Sequence, residues 1–310
     1  MRILVLAGGA SREREISLRS GKAVASALGS LGHEVGMGDP GQSVEVFLPA
    51  LKLRPDVLFN VLHGGEGENG VAQDACERLG VPYTGSGPEG SRLGMDKPAA
   101  KALFREAGLL TPDWEAVPSC AIDGYRPPFP LPIVVKPAAS GSSIGVSIVG
   151  SVSLLPAALG RAASEDERVL VEQFIPGREI TVGLLDFEPL PVVEVVPGSE
   201  FYDYDAKYSS KETRYVCPAP LASEESDQAT RAAVAAARAI CADGAVRVDM
   251  ILNENAQVWI LEVNTLPGMT ERSLLPLAAS AAGLDFPALC ARMVDMACKR
   301  AGRLQGDRRA

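Results

Sequence analysis

Apolar residues in this chain are gathered into short runs, each closed by glycine, proline or a charge, and no run approaches the ~18 residues of a membrane span. The first, RILVLA (2–7), stops at Gly8-Gly9 and reads as a buried parallel strand entering a tight turn. Leu18, Val24, Leu28 and Leu31 then recur at helical spacing, with Gly32 as a C-terminal stop. DVLFNVL (56–62) is a second buried strand, and Val71, Ala75 and Leu79 make a short helix closed by Gly80. This alternation predicts a small parallel α/β unit over the first 90 or so residues. The opening segment is too short before its first charges to be a signal peptide.

The glycine-rich stretch GSGPEGSRLG (85–94) reads as a boundary. After it, Asp96 is an N-cap, Pro98 suits a first helical turn and Gly108 ends that helix. A proline-rich loop leads into the strand LPIVVKP, the small-residue loop AASGSSIG, a helix near 153–163 and the strand VLVEQFI (169–175). Strands EITVGLL and PVVEVV follow, then a long polar stretch, FYDYDAKYSSKETRYV, of a kind more often functional than incidental. An alanine-rich helix over 224–242, strands AVRVDMIL and VWILEVN, and helices over 273–283 and 285–300 complete the chain. At 310 residues, length alone suggests about two domains.

The last two strands carry the sharpest local signal. A turn centred between Asn255 and Ala256 sets Asp249 opposite Glu262. Alternation then puts Arg247, Asp249, Ile251, Ile260, Glu262 and Asn264 on one face. Val246, Val248, Met250, Leu252, Trp259, Leu261 and Val263 fall on the other, a core face. Opposed carboxylates repel. A hard divalent cation relieves that conflict, with Asn264 as a third oxygen; the alternative is a solvated polar hairpin end. A register slip of one residue would undo the arrangement.

GGASRERE after the first strand lacks the spacing of a dinucleotide fingerprint; its acids Glu13 and Glu15 suit an ammonium group. GSSIG (141–145) is either a plain turn or a tip able to close over phosphates. Lys136 ends an apolar run and therefore needs an anionic partner, whereas Lys97 and Lys207 could be solvated surface lysines. The net charge of −9 excludes a broad nucleic-acid surface, so a phosphate site must be a local cluster. The six cysteines form no C-x-x-C pair and read as reduced residues of a cytoplasmic protein; two histidines are too few for a His-rich metal site.

Taken together, LAGGASREREISLRSG (6–21), LHGGEGENG (62–70), PYTGSG (82–87), MDK (95–97), VVKPAASGSSIGVS (134–147), FYDYDAKY (201–208), VRVDM (246–250) and LEVNTLPGMTERSLLP (261–276) resemble, in order, the D-alanine–D-alanine ligase family of the ATP-grasp superfamily. The resemblance implies an α/β (α+β) chain of ATP-grasp fold: an N-terminal parallel α/β substrate-binding domain (1–94), then central (95–178) and C-terminal (179–310) ATP-grasp domains that clamp ATP. It implies that ATP phosphorylates one D-alanine and that a second D-alanine attacks the acyl phosphate, supplying a peptidoglycan precursor. Its implied partners are D-alanine, ATP and two Mg²⁺ (or Mn²⁺), with no nucleic acid and no membrane, in a homodimer.

The same resemblance assigns roles. Asp249, Glu262 and Asn264 would hold the metal ions; Lys97, Lys136 and Lys207 the phosphates; Ser142 and Ser143 the closing loop. Glu172, Phe174 and Ile175 match the adenine-holding segment, Glu179 the ribose-binding acid, and Phe201 falls in the nucleotide set. Glu13, with His63 close by, would bind the first D-alanine; Arg247 and Gly268 the oxyanion; Ser273 and Leu274 the second carboxylate. Ser142, Tyr208 and Glu13 would be hydrogen-bonded together. One alternative is a depsipeptide ligase making D-alanyl-D-lactate, but such enzymes carry histidine where this chain has Tyr208. A regulatory protein that lost catalysis, or a glutathione-synthetase-like ligase, fits the retained motifs less well.

Overall fold

The computed structural model describes residues 1–51, 54–141, 144–197 and 213–307, with side chains described up to residue 302. Three separate sheets are present among them. The first is parallel, in the order β2-β1-β3. Its elements are β1 (Arg2–Leu6), α1 (Arg14–Ser30), β2 (Glu34–Gly38), α2 (Val44–Phe47), β3 (Val57–Asn60) and α3 (Val71–Leu79). β2 is absent from the expected elements because its side chains are mostly exposed and EVGMG has no apolar run. Leu31, expected on the buried helix face, is exposed just past the end of α1.

The stretch read as a boundary is partly helical: α4 (Pro88–Met95) precedes α5 (Lys97–Glu106). Its glycines serve contact rather than flexibility. A Cβ on Gly90 would meet the Cys241 carbonyl oxygen at 2.4 Å, and one on Gly94 would meet Thr265 at 2.7 Å. Pro88, in the first turn, was the available helix-start signal. The Asp96 cap forms as expected, accepting from the Ala99 N–H at 3.1 Å, and Gly108 follows α5 with φ +74°.

The second sheet is antiparallel, order β4-β7-β5-β6, built from β4 (Trp114–Pro118), β5 (Ile133–Pro137), β6 (Ser147–Val149) and β7 (Arg168–Gln173). α6 (Leu155–Ala163) covers one face with Leu155, Ala158, Leu159 and Ala162. The third sheet runs β11-β10-β8-β12-β13, with β9 paired to β8. Its strands are β8 (Arg178–Leu185), β9 (Glu188–Pro189), β10 (Val193–Val196), β11 (Arg214–Val216), β12 (Ala245–Leu252) and β13 (Val258–Asn264). α7 (Ser223–Ala239) packs its alanines against one face of this sheet.

Two helices close the chain, α8 (Leu274–Ala281) and α9 (Phe286–Asp307). Both join one core with β1, β3 and α1, so the last helices return to the first sheet. Gly183 permits this on the third sheet, since a Cβ there would meet Leu275 of α8 at 2.7 Å. Among the described residues, no single helix is long and apolar enough to cross a membrane.

Candidate active site

The β12–β13 hairpin sets Asp249 opposite Glu262 and Arg247 opposite Asn264, as the turn arithmetic expects. The face assignment nearer the turn needs correction. Met250 pairs with Ile260, which leaves Leu261 as an extra residue in a β-bulge. The bulge shifts the turn-side register by one. Val258 and Ile260 therefore enter the core, while Trp259 and Leu261 are only half-buried. The carboxylate pair keeps its expected partners because it lies on the far side of that bulge.

On the neighbouring strand β8, Thr181 pairs with Asp249 in register and donates to its Oδ1 at 2.7 Å. Arg247, two residues along the same face, is 5% exposed and grips Asp249 with two hydrogen bonds of 2.8 and 2.7 Å. Glu262 lies 3.4 Å from Lys97 Nζ, and Lys97 also donates to the Ser140 carbonyl at 2.7 Å. Each carboxylate thus already has a cation beside it, so protein charge relieves the expected repulsion. The donor set Asp249, Glu262 and Asn264 is all oxygen, and a carboxylate accepts more than two bonds, so it fits a hard divalent cation. Among the described residues no group of three His, Cys, Asp or Glu could hold a metal, which leaves the third donor to the Asn264 amide.

A cleft of about 1000 Å³, counting the part open to solvent, gathers nine expected residues: Glu13, His63, Lys97, Arg247, Glu262, Asn264, Gly268, Ser273 and Leu274. Glu13 and His63 reach it from the first unit. Ser11 ties their loops together, its hydroxyl donating to the His63 carbonyl and accepting from the Glu13 N–H. Asn60 and Gln73 both donate to the Gly67 carbonyl at 2.9 Å and so pin the loop that carries His63. His63 Nδ1 faces Glu68 at 3.6 Å, while its buried Nε2 has no hydrogen-bond partner among the described residues. A Cβ on Gly141 would lie 3.5 Å from the Glu13 carboxylate and 3.7 Å from that of Glu68, so the 138–141 loop reaches down onto the first unit.

Gly268 and Ser273 are in contact, since a Cβ on Gly268 would meet Ser273 Oγ at 2.8 Å. That hydroxyl accepts from the Thr270 N–H at 2.9 Å rather than capping α8. The first N–H groups of α8 therefore stay available to an anion at the cleft wall.

Lys136 has the anionic partner its position demands: Glu172, on the adjacent strand, at 2.7 Å. Glu172 is buried, and its other oxygen lies 2.9 Å from Lys101 Nζ. Burial opposes charge on Glu172, yet the two lysines outweigh it and hold its carboxyl below the usual range. Burial pulls Lys101 down to about 8 against the pull of Glu172. Phe174 is half-buried, Ile175 buried and Glu179 half-buried on β8. Ser142, Ser143, Phe201, Lys207 and Tyr208 lie outside the described residues.

Sequence reasoning passed over Lys101, Thr181, Glu68, Thr270, Arg19 and Tyr215, the last four of which line the cleft. Thr181 was findable by alternation from Glu179. Nothing local marks the others.

Comparison with known proteins decides the family. A family model described as D-ala D-ala ligase C-terminus matches residues 103–295. A D-alanine–D-alanine ligase of Gloeobacter violaceus is 47% identical over 300 residues, 95% of this chain and 99% of the relative. The chain belongs to the D-alanine–D-alanine ligase family. An Anaeromyxobacter ligase is 44% identical over 97% of this chain and 98% of its own. Two solved D-alanine–D-alanine ligase structures from Bacillus anthracis share the fold, each covering 98% of this chain and 99% of its own. One has a TM-score of 0.86 at 32% identity; the other, complexed with ATP, 0.84 at 30%. Members of this D-alanine–D-alanine ligase family thus match the chain over nearly its full length, so the cleft just described lies within the shared fold.

Proposed function

We propose that this chain is an ATP-dependent D-alanine–D-alanine ligase whose cleft holds both amino acids and the transferring phosphoryl group. The observation that carries the reading is the convergence of Glu13, His63, Arg247, Glu262, Asn264, Gly268 and Ser273 on one cleft from four distant stretches of chain. In the first step a carboxylate oxygen of one D-alanine bonds to the γ-phosphorus of ATP, and the bond to the β-phosphate oxygen breaks, releasing ADP. In the second, the amine of another D-alanine bonds to the acyl carbon. The tetrahedral intermediate collapses, the bond to phosphate breaks, and the nitrogen gives up a proton.

Each residue has a chemical task in that sequence. Glu13, buried beside the His63 loop, binds the ammonium of the first D-alanine. Arg247 and the Gly268 N–H stabilise the oxyanion of the tetrahedral intermediate. Ser273 and the N–H of Leu274, at the start of α8, hold the second carboxylate. Lys97, Lys136 and Lys207 bind phosphates, and Ser142 and Ser143 would close over them. Glu172, Phe174, Ile175, Glu179 and Phe201 hold adenine and ribose, and Tyr208 bonds with Ser142 and Glu13. Mg²⁺ or Mn²⁺, held by Asp249, Glu262 and Asn264, would neutralise phosphate charge. Water must be kept from the acyl phosphate, which is the task of the 138–141 loop lying on Glu13 and Glu68.

The reading includes three units, 1–94, 95–178 and 179–310, with ATP between the second and third; three separate sheets support it. It also includes a homodimer in the cytoplasm. The deciding assay is phosphate release from purified protein with ATP, Mg²⁺ and D-alanine alone. Steady release is expected, and product that forms only when D-lactate is added would overturn the choice of amine over hydroxyl nucleophile.

A further inference from the structure

Lys101 is among the largest fully buried side chains, and no step above uses it. It follows Lys97 by one turn of α5 and so shares its face. Its ammonium lies 2.9 Å from Glu172, donates to Thr111 Oγ1 at 2.7 Å and to the Pro112 carbonyl at 3.4 Å. Thr111 and Pro112 take two of its N–H donors, Glu172 pairs with its charge, the Trp114 ring lies 5.6 Å away, and the side chain has no solvent exposure. Lys101 therefore has nothing left to offer a ligand directly.

What it does instead is change the charge of a pair. Glu172 and Lys136 alone would form a neutral, buried ion pair. Adding Lys101 to the other carboxylate oxygen leaves the trio with one net positive charge. Lys136 is its only member reaching solvent appreciably, 8% exposed against 2% for Glu172 and 0% for Lys101. Lys136 is also the penultimate residue of β5, just before the loop that Lys97 contacts. A buried charge is expensive, and an apolar residue of similar volume would serve packing as well or better. The three groups come from α5, β5 and β7, and Thr111 continues the chain of bonds to the Ile260 carbonyl of β13.

We infer that Lys101 is a positioning residue for the nucleotide: through Glu172 it fixes the Lys136 ammonium and keeps that lysine's charge uncancelled at the end of β5 next to the 138–141 loop. This rests on the ligase reading above. Lys101 thereby couples α5 to the strands that hold ATP.

The test compares Lys101→Met, Lys101→Gln and Lys101→Arg with the parent protein. Calorimetry with a non-hydrolysable ATP analogue and Mg²⁺ reads nucleotide affinity without any turnover. Steady-state kinetics reads KM for ATP and for D-alanine separately. The neutral variants are expected to weaken nucleotide binding and raise the KM for ATP about tenfold or more. KM for D-alanine and kcat are expected to stay within about twofold, and Lys101→Arg to recover much of the loss. Unchanged nucleotide affinity in a folded neutral variant would overturn the inference. So would a parallel loss of both KM values and of Tm that arginine does not repair, or failure of both neutral variants to fold, since either marks a structural residue. Absence of D-alanine-dependent phosphate release in the parent protein would instead overturn the ligase reading, which calorimetry with the analogue does not measure.

Discussion

At the scale of single residues, Gly268 and Ser273 stand in close contact on the cleft wall. Ser273 Oγ is held by the Thr270 N–H, so it has little room to retreat from a Cβ 2.8 Å away. Gly268→Ala is expected to lower kcat/KM by about a hundredfold. Its Tm should stay within a few degrees, because the clash falls on the cleft wall and not on a packed core. Comparing kinetics with a thermal melt separates the two effects. Gly67 is different in kind. A Cβ there would meet Leu62 at 2.3 Å and its carbonyl oxygen at 2.6 Å, so that glycine is a condition of the loop folding at all. Both positions fall inside quoted motifs, yet sequence cannot say which contact each glycine serves. Lys101 shows the opposite case: a lysine on an amphipathic helix reads as solvated, and only packing makes it a buried cation.

At the scale of elements, pairing across strands decides both register and acid sensitivity. Arg178 and Glu194 face each other from β8 and β10 through hydrogen bonds of 2.7 and 2.8 Å. The Arg178 guanidinium holds the Glu194 carboxyl below its usual range. Arg14 does the same to Asp39, and the Arg2 N–H and guanidinium to Asp56. Carboxyls lowered in the fold contribute stability that is fully present above their unfolded values, near pH ~4, and lost as pH falls through the lower folded values. Tm is therefore expected to be level from about pH 5 to 7 and to fall steeply below about pH 4. Glu194→Gln should flatten part of that fall, as a pH series of melts would read. The hairpin β12–β13 was legible in sequence because alternation and a short turn fix which residues oppose one another. Its bulge at Leu261 was not, since an extra residue leaves no mark on composition and its neighbour Ile260 is held by the distant Leu110–Thr111 segment.

At the scale of the whole molecule, the last helix is bound back to the first unit. Arg300 of α9 donates to the Tyr83 carbonyl at 2.8 Å and to the Gly85 carbonyl. It also lies 4.1 Å over the Tyr83 ring and 3.3 Å from Asp243. Arg300→Met removes a charged donor from two carbonyls and is expected to destabilise the protein by about 2 kcal/mol. Denaturant melts measure that loss, and kcat should change little, because Arg300 stands outside the cleft proposed as the active site. The sequence by itself determined the glycine-stopped strands, the capped α5, the carboxylates opposed on the β12–β13 hairpin and the need of Lys136 for an anion. Those features follow from local periodicity and the solvation of charge, which act within one or two elements. Tertiary structure alone decided that Glu172 would be that anion, that Lys101 would share it, and that α8 and α9 would pack against the first sheet. Such choices depend on which surfaces meet after the chain has folded back over hundreds of residues, and burial, the term that sets their energy, has no local signature.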